Sequence, residues 1–474
     1  MITKKVSGLL VLIALCSLAQ SSLAQSSLSY QLDLVVDYGA GVFEGSAVIA
    51  YTNSTGVPLS ELFFRLYAND DSLYGTAFVQ ILDISIQTAS RTYSLYLDDT
   101  VVLVPLDDPL QPEASIEVTI AFNGAASLWP EFQPIGSAAT GYGLLTKSAS
   151  ALTLTAFYPM LAVYSDEGWA LDPSTGFGDT LMGDTADYAV RLTTRAGPVP
   201  VTSGELISVN PETDATIYDF SATQARDFSL VLVDSNYTPR TFESGRTTIR
   251  TWFTASSELA GRLAIDMAVS SSELFEDLVG PCPFHEVDLV EVPLRSAAGV
   301  EFSGLILVGS QYTDDPTDLF FSIIISHEMA HQWFYAGIGN DVSEHPWLDE
   351  SFATYLSFEF LSVFFDNTTA RGQLGTWRNV YQQAKQDWSY LTIASPKYAF
   401  PNSSIYSAFV YSGGALFLYD LRQMLGDDAF YRSLRGYYGT MLYSMASPSD
   451  LIRIIRENCS CQIDTLLKQY GIMP

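Results

Sequence analysis

The sequence predicts a multidomain protein in which an all-β sandwich or saddle-like domain precedes an α+β domain. Short strands separated by Gly, Pro, Asn and Asp clusters occupy residues 25–243. Beyond residue 244, amphipathic helices follow a few strands, which is typical of an α+β domain. A hydrophobic content of 48% with 16% charged residues indicates globular domains rather than disorder. We therefore expect domains at residues 25–243 and 244–474.

Residues 1–24 have the layout of a secretory signal peptide. Two lysines precede an apolar run at residues 8–15, and small-x-small cleavage sites end at Ala19 and Ala24. A lipid anchor at Cys16 is the alternative, although the bulky Leu15 stands where lipoprotein signals have a small residue. No later stretch reaches the ~18–20 apolar residues that span a bilayer. We expect a secreted or periplasmic protein, or a surface-associated one, without an integral membrane span after signal removal.

In the first domain, strands are expected at residues 30–36, 42–51, 62–66, 93–96 and 115–122. In the second, a helix is expected at residues 256–279, and strands at 286–292 and 305–308. The helix that carries His327 follows, then a second helix at residues 350–365. The sequence after that is expected to be mostly helical to its end, with the last helix at residues 448–458.

The formal net charge of −30 limits the partners of this chain. Nucleic acid and anionic membranes repel such a surface, so we expect neither as a partner. Generic surface acidity and a preference for cationic substrates both remain as explanations. Cys282, Cys459 and Cys461 do not form the even set typical of a disulfide scaffold, and their pairing stays open.

Two of the four histidines, His327 and His331, frame the run His-Glu-Met-Ala-His on an expected helix. Residues four apart lie on the same face of a helix, so both imidazoles can hold one Zn²⁺. Glu328 is offset from that face and can reach a metal-bound water. The alternative is a helix with two core or solvated histidines.

A catalytic zinc takes three protein ligands and a water, so a third ligand is needed nearby. Glu350 stands 18 residues after His331 in the run Trp-Leu-Asp-Glu-Ser-Phe-Ala, where a new helix is expected to begin just after Pro346. It would project from the first turn of that helix. The alternative is an acid placed there because the helix dipole favours it.

The pattern H-E-x-x-H-x18-E, with His-Gln-Trp-Phe and Trp-Leu-Asp-Glu-Ser-Phe-Ala, resembles the gluzincins of the aminopeptidase N family. The resemblance implies a thermolysin-like catalytic domain with one Zn²⁺ per chain. It also implies His327, His331 and Glu350 as zinc ligands and Glu328 as the general base. With 63 residues after Tyr411, the chain corresponds to a short form without the large C-terminal helical domain of familiar members. We expect a more open active site that accepts longer N-termini, or a less selective range of peptides, than its closed relatives.

The resemblance also implies a tyrosine that stabilises the oxyanion of the reaction. Tyr411, in the run Tyr-Ser-Gly-Gly-Ala, matches that tyrosine, and Tyr406 is a nearby rival. Glu301 matches the glutamate that binds the substrate amine, and Gly299 matches the glycine before it. Val300 and Phe302 replace the Met and Asn of the family motif. A second amine-binding acid is not assigned.

Together these residues predict an exported zinc-dependent aminopeptidase that hydrolyses N-terminal residues from peptides with free N-termini. A zinc-activated water would attack the peptide, with Glu328 as general base. The alternatives are a zinc endopeptidase or another zinc hydrolase on the same scaffold, such as an epoxide hydrolase, or an inactive peptide-binding homologue. The preferred first residue and the oligomeric state are not assigned.

Overall fold

The computed structural model describes residues 26–128, 142–165, 167–179, 181–195, 197–459 and 461–473. The predicted signal peptide and Cys16 lie outside these residues. Within them, no helix has the length and apolar character required to cross a membrane.

The N-terminal part is built from strands with one short helix, α1 (Asp71–Tyr74), between the third and fourth strands. The strands in chain order are β1 (Leu28–Asp37), β2 (Val42–Thr52), β3 (Leu59–Arg65), β4 (Phe78–Ile86), β5 (Ala89–Ser90), β6 (Ser94–Tyr96), β7 (Val101–Leu110), β8 (Ser115–Ala125), β9 (Ser127–Leu128), β10 (Leu145–Lys147), β11 (Ala151–Leu154), β12 (Met160–Leu161), β13 (Tyr164–Ser165), β14 (Gly168–Trp169), β15 (Ala186–Thr194), β16 (Val199–Thr202), β17 (Glu205–Pro211), β18 (Thr216–Ala225) and β19 (Leu230–Val233).

The large sheet of this part has the order β17-β18-β15-β1-β2-β8-β4-β5, with β1 parallel to β15. Along β1, alternate residues from Leu28 to Val36 are buried, as expected for a strand with one face in a core. That face packs on two smaller sheets, β16-β19-β11-β10-β9 and β12-β3-β7-β6. For example, the Tyr30 hydroxyl on β1 accepts a 2.9 Å hydrogen bond from the backbone N–H of Leu161 on β12.

The remaining residues combine a second sheet with helices. In chain order they are β20 (Tyr237–Ser244), β21 (Thr247–Thr254), α2 (Glu258–Leu278), β22 (Glu286–Val292), β23 (Gly299–Phe302), β24 (Leu305–Gly309), α3 (Leu319–Ala330), β25 (Gly339–Asn340), α4 (Trp347–Phe364), α5 (Asn367–Asp387), α6 (Ser403–Ser407), α7 (Gly414–Leu425), α8 (Asp427–Met441), β26 (Met445–Ala446), α9 (Pro448–Asn458) and α10 (Asp464–Tyr470). A π-helical segment, Ala408–Gly413, joins α6 to α7.

The second sheet has the order β20-β21-β22-β24-β23. Strands β21, β22 and β24 are parallel, and β23 pairs antiparallel with β24 at the edge. The predicted fold class, an all-β domain followed by an α+β domain, is confirmed. The predicted domain boundary after residue 243 falls near the end of β20, which pairs with β21 and so belongs to the second sheet.

One detail of the sequence-based prediction is corrected, and one question that it left open is answered. Helix α9 has the predicted bounds, but it is not the last helix, because α10 follows it. Seven residues are too few for a helical period to stand out in sequence, and α10 is held by packing of Leu466, Leu467 and Tyr470. The three cysteines left open are also resolved: Cys459 is bonded to Cys461, and Cys282 is a buried free thiol.

Arg226, between β18 and β19, joins the two parts of the chain through its buried guanidinium group. Its Nε–H donates to the carbonyl oxygen of Tyr335 at 2.6 Å, just after α3. Its terminal nitrogens donate to the carbonyl oxygens of Gly183 at 3.2 Å and Ser444 at 2.8 Å. Burial lowers the pKa of Arg226 to about 10, so the group stays charged at neutral pH.

Asp227, the next residue, also links the two parts of the chain, but it does so as a hydrogen-bond acceptor. Its carboxylate accepts from the Tyr335 hydroxyl at 2.9 Å, and from the Ser303 backbone N–H and hydroxyl at 3.0 and 3.1 Å. Ser303 lies in the turn between β23 and β24. The dipeptide therefore fixes both the end of α3 and the end of β23 to the N-terminal part.

Replacing Arg226 with Met should lower the free energy of unfolding by about 3 kcal/mol, because several buried carbonyl oxygens lose their donor. Urea denaturation followed by circular dichroism measures this loss. The matched control is Arg371→Met, since Arg371 is exposed on α5 and its replacement should change stability by less than about 0.5 kcal/mol. Equal losses in both variants would contradict the prediction.

Candidate active site

Helix α3 carries His327 and His331 to one end of a cavity. The helix begins after Asp318, whose carboxylate caps it by accepting the Phe320 N–H at 2.7 Å. It ends at Ala330, so His331 is its C-terminal cap rather than an interior residue. The two histidines still lie one turn apart, and their Nε2 atoms are 3.1 Å from each other.

Glu350 meets these histidines from the first turn of α4, as the sequence predicted for its position. Its Oε2 lies 3.2 Å from His327 Nε2 and 3.5 Å from His331 Nε2. Ligand atoms about 2.0–2.1 Å from a tetrahedral metal ion are about 3.3 Å apart. The spacing of these three atoms therefore fits one metal ion.

The electrostatic environment of these groups reflects how closely they lie together. His331 Nδ1 lies 3.0 Å from the carbonyl oxygen of Phe334 and donates its N–H there, so Nε2 is the ring nitrogen directed at Glu350 and, when unprotonated, the one that can bind a metal ion. Burial would raise the pKa of Glu350, but the close approach of both histidines outweighs burial and lowers it. Burial would lower the pKa of His331, but the charges of Glu301 and Glu350 outweigh it and raise the pKa.

Glu328 is buried beside this group. Burial first, and then the charge of Glu301, raise its pKa well above the ordinary value. Within the described residues, its Oε2 and the Oε2 of Glu350 are buried without a hydrogen-bond partner. Buried polar atoms are usually paired, so both atoms are open to interaction with a bound group.

Gly299 explains how Glu328 fits against the edge strand β23. A Cβ atom at this position would lie 2.5 Å from the Cδ and Oε1 atoms of Glu328. Any side chain at residue 299 would therefore displace the carboxylate. The sequence pointed to Gly299 as a substrate-binding residue, and the structure adds this packing constraint.

Glu301 lies two residues further along β23, on the same face of the strand as Gly299. Its Oε1 is 3.9 Å from His331 Nδ1, and it is 7% exposed. The strand is held by Gln332, directly after His331. Gln332 donates to the carbonyl oxygen of Phe302 at 3.2 Å and accepts from the N–H of Gly304 at 2.9 Å.

Tyr411, which the sequence favoured, and its rival Tyr406 both line the cavity. The Tyr411 hydroxyl donates a hydrogen bond to Glu350 Oε1, and its ring stacks on His327 with centroids 5.8 Å apart. The Tyr406 ring lies edge-on to the Tyr411 ring, with centroids 5.8 Å apart, and it packs against Gly178. Tyr411 is therefore the tyrosine in contact with the histidine and glutamate group.

The glycine pair at residues 413 and 414, shortly after Tyr411, allows Tyr411 to lie in contact with Glu350 on α4. A Cβ atom on Gly414 would overlap the Ser351 Oγ, so only glycine lets the segment lie this close to α4. The Ser351 hydroxyl donates to the carbonyl oxygen of Val410 at 3.0 Å. Tyr411 sits on the π-helical segment, a local irregularity that is frequent at functional sites.

Asp179 is a residue of the cavity that the sequence did not predict. It lies between β14 and β15, and its carbonyl oxygen accepts a hydrogen bond from the buried Lys397. Burial, followed by the charge of Glu350, raises the pKa of Asp179 well above the ordinary value. Nothing in the sequence singled out Asp179, because it is one of 53 acidic residues and belongs to none of the motifs described above.

The cavity has a volume of about 640 Å³. Among the described residues that line it, the charged side chains are Asp179, Glu301, Glu328 and Glu350, all near the two histidines. The rest of the lining is neutral and largely apolar or aromatic, with Tyr74, Tyr142, Leu144, Ile323, Ile324 and Trp377 among its members. The cavity thus has one acidic end and long apolar walls.

Comparison with known proteins agrees with this architecture. Aminopeptidase M1-A of Oryza sativa subsp. japonica is 23% identical over 244 residues, 48% of this chain and 27% of that protein. Probable aminopeptidase 1 of Sulfurisphaera tokodaii is 23% identical over 307 residues, 61% of this chain and 38% of that protein. The chain thus spans less than half the length of these curated relatives.

A crystal structure of an M1 zinc metallopeptidase from Deinococcus radiodurans has the same fold over nearly the whole chain. The TM-score is 0.65 at 20% sequence identity, and 94% of each chain is covered. Residues 264–470 match the peptidase family M1 domain. This range contains the histidines, Glu301, Glu328, Glu350 and Tyr411, and the match agrees with the resemblance of the motifs to the aminopeptidase N family.

Proposed function

We propose that this protein is a zinc-dependent aminopeptidase that removes N-terminal residues from peptides. The observation that carries the proposal is the convergence of His327 Nε2, His331 Nε2 and Glu350 Oε2, 3.1–3.5 Å apart, at the acidic end of the cavity. Two imidazoles and one carboxylate form a donor set typical of catalytic zinc.

His327, His331 and Glu350 would hold the zinc ion. When bound, Zn²⁺ acts as a Lewis acid and makes water nucleophilic at neutral pH. Glu328 accepts the proton of the attacking water and returns it to the leaving amine. The otherwise unpaired Oε2 of Glu328 supports this role, because that oxygen is available to accept a proton from water.

Tyr411 would stabilise the negative charge that develops on the carbonyl oxygen of the substrate. A hydroxyl donor aimed at such an oxygen stabilises the transition state more than the ground state. Its contact with both Glu350 and His327 supports this role, because the reacting carbonyl must lie beside the same groups.

Glu301 and Asp179 would bind the α-ammonium group of the substrate. Both carboxyl groups line the cavity, and the charge of Asp179 helps to raise the pKa of Glu301. A cation between them would offset the cost of burying two like charges. The edge strand β23 has backbone groups available on its free side, which can pair with an extended substrate.

Replacing Glu328 with Gln should lower kcat about 10²- to 10⁴-fold while zinc content stays at the wild-type level. The reason is that Gln keeps the shape of the side chain but accepts no proton. Hydrolysis of aminoacyl-arylamides and metal analysis of the purified protein measure the two effects. In the comparison variant, His331→Ala, zinc and activity should fall together. Retained activity in Glu328→Gln would contradict the role of the base.

Replacing Glu301 with Gln should lower kcat/KM for free aminoacyl-arylamides about 100-fold, because the ammonium loses a charged partner. The matched control is Glu286→Gln, whose carboxylate is bound to Arg250 at 2.6 Å outside the cavity. N-acetylated substrates should be cleaved poorly by the wild type. If they were cleaved as fast as free ones, the protein would be an endopeptidase or another hydrolase.

We further propose that the protein is exported after removal of residues 1–24. The support is the signal layout of the sequence, with its lysines, apolar run and small-x-small sites. N-terminal sequencing of protein from the secreted or periplasmic fraction should find a start after Ala24 or Ala19. A cytoplasmic protein that begins at Met1, or a lipid-modified one that begins at Cys16, would contradict this proposal.

A further inference from the structure

One face of α3 forms the floor of the cavity well beyond the histidines. Phe320, Ile323, Ile324 and His327 have the spacing i, i+3, i+4, i+7, which places them on the same side of a helix. All four line the cavity. A rise of 1.5 Å per residue puts Phe320 about 10 Å from His327 along the helix. The floor therefore extends two turns past the candidate metal ligands.

A side wall follows the same direction. Residues 296–301 line the cavity and lead from Glu301 back along and beyond β23. The carbonyl oxygen of Ala297 accepts a 3.0 Å hydrogen bond from the Gln311 side chain, which positions the turn Ser310–Tyr312. The Tyr312 ring meets the Phe320 ring edge-on, with centroids 5.4 Å apart. Wall and floor thus meet at this aromatic pair.

The pair Tyr312 and Phe320, called the aromatic lip below, stands at the mouth of the cavity. Phe320 is 46% exposed, although a phenyl ring gains free energy from burial. Tyr312 is also partly exposed. Exposed aromatic rings that continue an apolar binding cavity are typical anchors for a ligand side chain.

We propose that the aromatic lip is a subsite for an apolar side chain two or three residues beyond the scissile bond. This inference rests on the proposed function, in which Glu301 holds the amine and the scissile bond lies beside His327. A substrate that pairs antiparallel with β23 then runs from Glu301 past Gly299 and residue 297 toward the lip. An extended chain rises about 3.3 Å per residue, so about 10 Å corresponds to three residues.

The proposed subsite predicts which class of peptide the protein prefers as substrate. Peptides of four or more residues with an apolar third or fourth residue should be preferred substrates. Dipeptides and arylamides end before they reach the lip, so they gain nothing from it. The occupant is thus the downstream part of the same peptide whose N-terminus is bound at the acidic end.

The experiment compares pentapeptides with a free N-terminus in which Phe or Gly stands at residue two, three or four. The initial rate of release of the first residue gives kcat/KM for each peptide. The wild type should prefer Phe over Gly by about fivefold to tenfold at residue three or four. In Phe320→Ala this preference should fall below about twofold, and Tyr312→Ala should reduce it independently.

Phe364→Ala is the matched control. Phe364 is 49% exposed on α4, has one ring contact, with Phe360 at 4.8 Å, and does not line the cavity. This variant should keep the wild-type preference. Zinc content and circular dichroism of each variant check that it is folded.

Two outcomes would overturn the subsite: a wild type without preference at residues three and four, or an unchanged preference in both lip variants. A preference confined to residue two would overturn it as well. Failure of the proposed function looks different, because the wild type would then release no residue from any of these peptides or from arylamides.

Discussion

The hydrogen bonds of Arg226 and Asp227 are the constraint on which the active site depends. They hold Tyr335, whose φ of +119° is unusual for a residue with a side chain, by both its carbonyl oxygen and its hydroxyl. The chain can therefore turn sharply after His331, which lets Gln332 reach the end of β23. The strand that bears Glu301 and the helix that bears the histidines thus share one support from the N-terminal part.

A second constraint is electrostatic. Asp179, Glu301, Glu328 and Glu350 bring four carboxyl groups to one end of a largely apolar cavity. Burial and mutual repulsion raise the pKa of Asp179, Glu301 and Glu328, so this group of carboxylates is costly when it is charged and has no counter-charge. A metal ion and a substrate ammonium both offset this cost. The proposed reaction uses one cation of each kind, and the aromatic lip lies beyond them, where the wall carries no charge among the described residues.

Local patterns predicted most of the elements near the site. Strand β22 and helix α9 have the predicted bounds, because a short apolar run and a stripe of Leu and Ile residues specify them without help from distant parts. Helix α10 was missed, since its stability comes from packing of its buried side chains rather than from its own sequence period. The end of α3 at Ala330 was also not visible, because no Gly or Pro stands in residues 331–335 to mark it.

The sequence by itself determined the histidine pair and, through its spacing and its resemblance to a family, the partner Glu350. Helical geometry explains why: residues four apart share a face wherever the helix lies. The same resemblance favoured Tyr411 over Tyr406, and the contact of Tyr411 with Glu350 agrees with that choice. Only the tertiary structure brought Asp179 to the cavity and placed Phe320 in line with His327 at its mouth. These positions depend on contacts between segments far apart in the chain, such as that of Gly414 with Ser351. Such contacts are set by packing of the whole core, which no local pattern encodes.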